Sequence, residues 1–264
     1  MDRDMKKKAL SEFDAQALSE IIKRVGRNSD NEAVAGEKVG TEYRIFFNEA
    51  QFQFALAWAI KEQFDCEVIL EALTRYYENG DRKKRDYTDI VLEKGDLRIA
   101  IELKYKTAGL EMADKKISLA NQGARDLGCY DFFLDIARIQ TLTHKGDHSV
   151  LLPCDRGYAV FLTNDKGYWT YSEDKSTRIY RDFVFHQPSE ADRVVRLKQG
   201  EHGWHKKAGE TDLPKTVRGT SRDREINLDN ELIAQWEDLY TLETSIGKNN
   251  EFKFLVFEIR PSSR

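Results

Sequence analysis

From Asp86 to Lys104 two apolar runs flank Glu93-Lys94-Gly95-Asp96, and the second alternates apolar with polar residues. A period of two around a polar, glycine-containing turn fits a β-hairpin and little else. In the second run Leu97, Ile99, Ile101 and Leu103 face one side, and Arg98, Ala100, Glu102 and Lys104 face the other. A carboxylate and an ammonium projecting together from a strand otherwise fit for a core require a chemical reason. Pairing Leu92 with Leu97 puts Asp89 opposite Ala100, on the face that carries Glu102 and Lys104. Asp89 is then the diagonal neighbour of Glu102, roughly 7–8 Å away between backbone positions. Two carboxylates so placed can share one hard cation. A lysine beside them can stabilise developing negative charge or help activate water.

The rest of the chain must supply a core around this hairpin. Its 264 residues suffice for one large domain or two small ones. No internal repeat or low-complexity linker divides it, so a single domain over 1–264 is expected, with a core at about 45–171 and a terminal strand at about 251–259. The net charge of −4 excludes a generally basic nucleic-acid coat protein but not a local basic groove. Cys66, Cys129 and Cys154 are odd in number, widely spaced and without a CxxC, which favours a reducing compartment and disfavours a structural zinc. Met1 to Ala9 shows no secretory signal, and no run of about 18 apolar residues exists. The expectation is a cytoplasmic protein without a membrane partner.

Residues 10–25 have the three- and four-residue spacing of an amphipathic helix, and the polar 26–40 reads as a loop. Asn48 and Gln51 predict a capped helix over Glu49–Gln63, apolar around most of its circumference and so largely buried. Glu49 in its first turn either complements the helix dipole or belongs to the site. A strand is expected at 66–73, then a loop at 74–86 carrying Arg82, Lys83, Lys84 and Arg85. That charge run is either a solvated surface or a polyanion contact. Residues 111–142 read as helical, with an apolar stripe of Leu127, Tyr130, Leu134 and Ala137 widened by Phe133, and with Gly123 and Gly128 as points that break it into two helices. Gln122 and Arg125 near its start are, taken alone, surface residues. A strand is expected at 157–163, a turn at 164–167 and a return strand from Tyr168 to Tyr171. Residues 172–224 form a polar insertion. From 193 to 224 nine Lys/Arg face four acids, which suits either a nucleic-acid-facing flap or a mobile insertion. A helix over 229–242 capped by Asp229 and a strand over 251–259 complete the chain.

A helix with an early acid (Glu49), a strand, Asp89 on the next strand, Glu102-Leu103-Lys104 on the one after, and then a helix: this order resembles the PD-(D/E)xK, or restriction-endonuclease-like, nuclease superfamily. The resemblance covers roughly residues 45–142. It implies an α/β fold, a restriction-endonuclease-like central mixed β-sheet flanked by helices, here with a C-terminal extension. It implies Asp89 and Glu102 as ligands of Mg²⁺, for which Mn²⁺ would substitute, Glu49 as an accessory acid in the metal shell, and Lys104 as the catalytic lysine. Gln122 would support the site or touch substrate, with Arg125 and Arg82, Lys83, Lys84 and Arg85 as further substrate contacts. Thr88 stands where the family has proline, a position without metal chemistry. Lys106 repeats the lysine two residues on, but the Glu-x-Lys spacing selects Lys104. Gln122 has no tyrosine four residues on, so the Gln–Tyr pattern of some branches is not matched.

The resemblance implies a metal-dependent nuclease cleaving phosphodiester bonds, with DNA favoured as substrate and genome defence as a compatible role. A double-strand cut takes two active sites, which makes a homodimer compatible with it. A catalytically inactive nucleic-acid-binding or regulatory module on the same fold is the rival of a different class. The plainest alternative is an α/β domain in which Glu102 and Lys104 form a surface ion pair.

Overall fold

The computed structural model describes residues 7–27, 37–39, 43–79, 82–112, 117–144, 147–170, 179–189, 191–206, 209–210, 212–213, 217–242 and 249–261. Among these are three α-helices, α1 (Ala15–Gly26), α2 (Glu49–Gln63) and α3 (Arg125–Thr143). Six strands build a central sheet: β1 (Glu67–Asn79), β2 (Arg82–Lys94), β3 (Leu97–Lys106), β4 (Arg156–Thr163), β5 (Glu237–Thr241) and β6 (Glu251–Ile259). Their order is β5-β6-β4-β3-β2-β1, and only β3 and β4 run parallel. A parallel neighbour requires a long crossover, and α3 provides it. The fold is mixed α/β, and the terminal strand joins the central sheet as the sequence predicts.

The predicted hairpin forms in a different register. Lys94 pairs with Leu97 across a two-residue turn, Gly95-Asp96, so paired positions sum to 191 rather than 189. Gly95 takes φ +59, a conformation that costs glycine least, and two-residue turns match the twist of the flanking strands. A shift of two residues leaves every side chain on its predicted face. It also aligns Glu93 with Arg98, which form an ion pair at 2.6 Å.

Two apolar layers hold the sheet. On one face α1 and α2 pack Leu18, Ile22, Phe52, Leu56 and Ile60 against Ile90, Leu92, Ile99, Ile101 and Leu103. Asn48 Oδ1 accepts from Gln51 N at 2.9 Å and caps α2 at the predicted residue. On the other face α3 packs Phe132, Phe133, Ile136 and Ile139 against Ala159, Phe161 and Phe257. Residues 194–197 pair with 232–235 and residues 200–202 with 226–228. Their segment seals the outer side of α3: Trp204 stacks on Tyr130 at 5.5 Å, and Arg222 clamps Asp131 at 2.7 Å. The described part of 172–224 is thus a packed layer. Arg193, Arg218 and Arg222 are committed there to Asp238, Asp212 and Asp131.

Several local expectations are corrected. Residues 111–142 are not helical from the start: Leu110–Met112 pairs with Ile117–Leu119, and α3 begins at Arg125. Leu110, Met112, Ile117 and Leu119 are all buried, so a period of two prevails there over helix propensity. Leu134 of the expected stripe is exposed, while Tyr130 and Phe133 are buried as expected and Phe132 is buried with them. The 229–242 helix is absent. Leu232–Gln235 and β5 replace it, burying Leu232, Ala234, Trp236 and Leu239, a spacing compatible with either period. Asp229 therefore caps nothing helical. After β4 the chain makes a 3-10 turn at Lys166–Tyr168 rather than a return strand, and Tyr171 lies outside the described residues. Helix α1 starts at Ala15 behind Asp14, after a 3-10 turn at Leu10–Glu12. In the expected loop 26–40, Glu37–Val39 pairs with Tyr43–Ile45. Helix α2 is less buried than expected, since Phe54 and Trp58 are exposed. The basic loop at 74–86 does not exist as a loop, because β1 and β2 stay paired as far as Asn79 and Arg82.

A carboxylate cluster where two strands part

Pairing of β2 with β3 ends at Ile90 and Ile101. Extended by one step, the ladder would place Asp89 directly opposite Glu102, closer than the diagonal relation expected from sequence. Beyond Ile101, alternate N–H groups of β3 lose their strand partner, and buried N–H groups do not stay unpaired. Two of the predicted site acids take the vacated places. Asp89 Oδ2 accepts from Leu103 N at 2.6 Å, and Glu49 Oε2, from the first turn of α2, accepts from Tyr105 N at 2.7 Å. Glu49 is therefore more than a dipole complement. Gln53, one turn further along α2, donates to Asp89 O at 2.7 Å and to Glu71 Oε1 at 2.9 Å, fixing β2 at the point of divergence.

Glu102 and Lys104 project toward α3 and meet two residues that sequence reasoning missed. Arg138 donates to Glu102 Oε2 at 2.9 Å and to Asp135 Oδ1 at 2.8 Å. Lys104 Nζ lies 2.8 Å from Asp135 Oδ2. The available signal was Asp135-x-x-Arg138, two charges one helical turn apart among Phe132, Phe133, Ile136 and Ile139. Four carboxylates (Glu49, Asp89, Glu102, Asp135) thus form a buried to half-buried cluster with two cations (Lys104, Arg138), a surplus of two negative charges when all are ionised.

Electrostatics follow from that surplus. Burial pushes Asp89 up to about 6, opposed by the Leu103 N–H and reinforced by Glu49 and Asp135. Burial raises Glu49 as well, against Lys104 and the Tyr105 N–H. It raises Glu102 well above the carboxylate range despite Arg138, and it raises Asp135 despite Lys104 and Arg138. For Lys104 burial works toward a lower value, but Asp135 and Glu49 override it and hold the ammonium above its ordinary range. Asp89 binds its proton more tightly folded than unfolded. Its stabilising contribution is therefore full below about pH 4 and disappears as pH rises through about 6. Without divalent ions, unfolding free energy from urea titrations should fall by about 1–2 kcal/mol between about pH 5 and 7.5 through this group alone.

Three carboxylates each commit one oxygen to a protein donor: Glu49 Oε2, Asp89 Oδ2 and Glu102 Oε2. Glu102 Oε1 is buried with no hydrogen-bond partner among the described residues. Glu102 and Arg138 also line a cavity of one water's size with Thr74, Asp86 and Thr88. Among the described residues no three potential ligands already converge on one point. The donor chemistry nevertheless fits a hard divalent cation: oxygen donors only, an orphaned carboxylate oxygen, and the excess negative charge a divalent ion would neutralise.

The other predicted contacts lie elsewhere. Arg125 is held by Asp165 at 3.0 and 2.9 Å. Gln122 is exposed, and its backbone N–H donates to Thr107 O at 2.8 Å. Among the described residues neither contacts the carboxylates. Lys84 and Arg85 project from β2; the side chains of Arg82 and Lys83 lie outside the described residues. No helix of the described residues is long and apolar enough to cross a membrane. Comparison of the chain with protein-family models, curated proteins and solved structures finds no match in any of the three.

Proposed function

We propose that the chain is a Mg²⁺-dependent nuclease of the PD-(D/E)xK type that hydrolyses phosphodiester bonds, with DNA as the substrate the family likeness favours. One observation carries this reading: Glu49, Asp89, Glu102 and Lys104 are neighbours where β2 parts from β3. The succession of α2, β1, β2, β3 and α3 supports it, being the order of elements on which the resemblance rests.

Asp89, Glu102 and Glu49 would hold the cation, which supplies charge neutralisation at the phosphoryl group and a lowered pKa for bound water. Lys104 remains an ammonium, because Asp135 and Glu49 hold its proton. Its part is therefore to stabilise negative charge on the phosphoryl oxygens rather than to take a proton. Asp135 keeps that ammonium in place at 2.8 Å. Arg138 offsets part of the burial that raises Glu102 and so favours its ionised form.

Incubation of supercoiled plasmid and oligonucleotides with Mg²⁺ or Mn²⁺ tests the reading. Cleavage by the wild type should fall by at least about 10²-fold in Lys104→Ala and in Glu102→Ala. Equal cleavage by all three proteins would remove the assignment.

A further inference from the structure

We propose that the free end of the β1–β2 hairpin is a groove-entering ribbon for duplex DNA; the inference rests on the nuclease reading for its class of partner. From Thr88 back to Arg82, seven residues, β2 has only β1 as a strand partner. At about 3.3 Å per residue this ribbon reaches roughly 23 Å beyond the parting of β2 and β3. An isolated two-stranded ribbon is marginal in water, and this one is braced at its root. Tyr76 N donates to Ser149 O at 2.9 Å and Leu151 N to Thr74 O at 2.8 Å. Arg75 Nε donates to Ser149 Oγ at 2.8 Å, and its guanidinium lies 4.3 Å from the Tyr77 ring centre. Among the described residues only its root is buried, through Thr74 and Thr88, and the exposed Arg85 and Tyr87 are open to a partner.

Charge indicates which partner. The chain carries −4 overall, yet Thr74 to Tyr87 holds five cationic and three acidic side chains. Arg75 is engaged by Asp86 and Asp147. Lys84 and Arg85 make no ion pair among the described residues, and Arg85 and Tyr87 are exposed. Neighbouring residues of a strand point to opposite faces, so Lys84 and Arg85 put a cation on each side of the ribbon. A single strand could lie along one face only. A duplex groove has a phosphate wall on each side. A ribbon with its side chains is about 10 Å thick, and the major groove of B-DNA is about 12 Å wide. The deep, narrow major groove of A-form RNA does not admit it. Arg85, Tyr87 and Asp89 share one side of β2, so the same strand leads from the ribbon to the candidate site in steps of roughly 7 Å.

Fluorescence anisotropy without divalent ions, on the full chain, separates this from cleavage. The probes are a duplex DNA of about two turns, its single strand, and an RNA duplex of equal length. Duplex DNA should bind at least about tenfold more tightly than either of the others. Lys84→Ala/Arg85→Ala should weaken duplex binding at least about tenfold and reduce the slope of log K against log salt by about 2. Arg85 is exposed and Lys84 half-buried, and matched unfolding midpoints would confirm the fold. Lys94→Ala, which removes one positive charge at the other end of β2, should leave binding unaltered. The proposal is overturned by no duplex binding, by equal or tighter binding of either other probe, by an unaffected double variant, or by an equal loss in Lys94→Ala. A chain that grips duplex through the ribbon but never cuts removes the nuclease reading alone. A chain that cuts, with a double variant that binds like its parent, removes the ribbon alone.

Discussion

Arg138→Met should cost the metal-free protein about 3–5 kcal/mol of unfolding free energy at neutral pH, read as a drop in the urea midpoint at constant slope. The guanidinium bridges Glu102 Oε2 and Asp135 Oδ1, two carboxylates that are almost wholly buried. Methionine fills much of the same space but leaves both charges without their common partner. Glu102, already raised by burial, then takes up a proton more readily, so the unpaired charge falls chiefly on Asp135. Adding Glu102→Gln should recover part of the loss, because one of the two carboxylates goes with it, and the two changes should be strongly non-additive. A loss below about 1 kcal/mol would mean that water reaches the pair and that the pocket is wetter than its burial indicates.

Asp89→Asn should move stability and activity in opposite directions. Asn keeps an oxygen for the Leu103 N–H but carries no charge. With burial holding Asp89 at about 6, the ionised side chain is a burden at pH 7.5 in the metal-free protein. Its removal should raise unfolding free energy by about 1–3 kcal/mol and flatten the fall between about pH 5 and 7.5. Cleavage, in contrast, should drop by at least about 10³-fold, since Asp89 is one of the two principal ligands in the proposed site. A site kept for function at the expense of stability behaves this way. An inert ion-pair network would lose stability and have no activity to lose.

How much of this was legible in the sequence depends on which physical signal each element carries. The cap at Asn48 and the alternation at Leu97–Lys104 are local, and both formed as read. The two-residue error in register was harmless because side-chain parity survives any even shift. Helix and strand were confused at 110–119 and 232–241, where buried residues are spaced so that short windows satisfy both periods. The basic run at 82–85 reads as a loop because strands seldom carry four successive cations, and only its pairing with β1 shows otherwise. Asp89, Glu102 and Glu49 were accessible because a hairpin and a helix start determine where they point. Asp135 and Arg138 were not: charged residues on a helix ordinarily belong to its solvated face. Only the packing of α3 over β3 shows that these two are turned inward, onto Glu102 and Lys104.

The surplus negative charge of the cluster is the point on which the account stands. Calorimetric titration of the wild-type chain with Mg²⁺ and Mn²⁺ at about pH 7.5, in two buffers of different ionisation enthalpy, measures it directly. The expected result is one divalent ion per chain, taken up with release of protons from the raised carboxyls, a higher thermal midpoint, and loss of all three in Asp89→Asn/Glu102→Gln. No heat of binding and no shift in midpoint with either ion, from a chain shown to be folded, would contradict the metal site and with it the proposed chemistry.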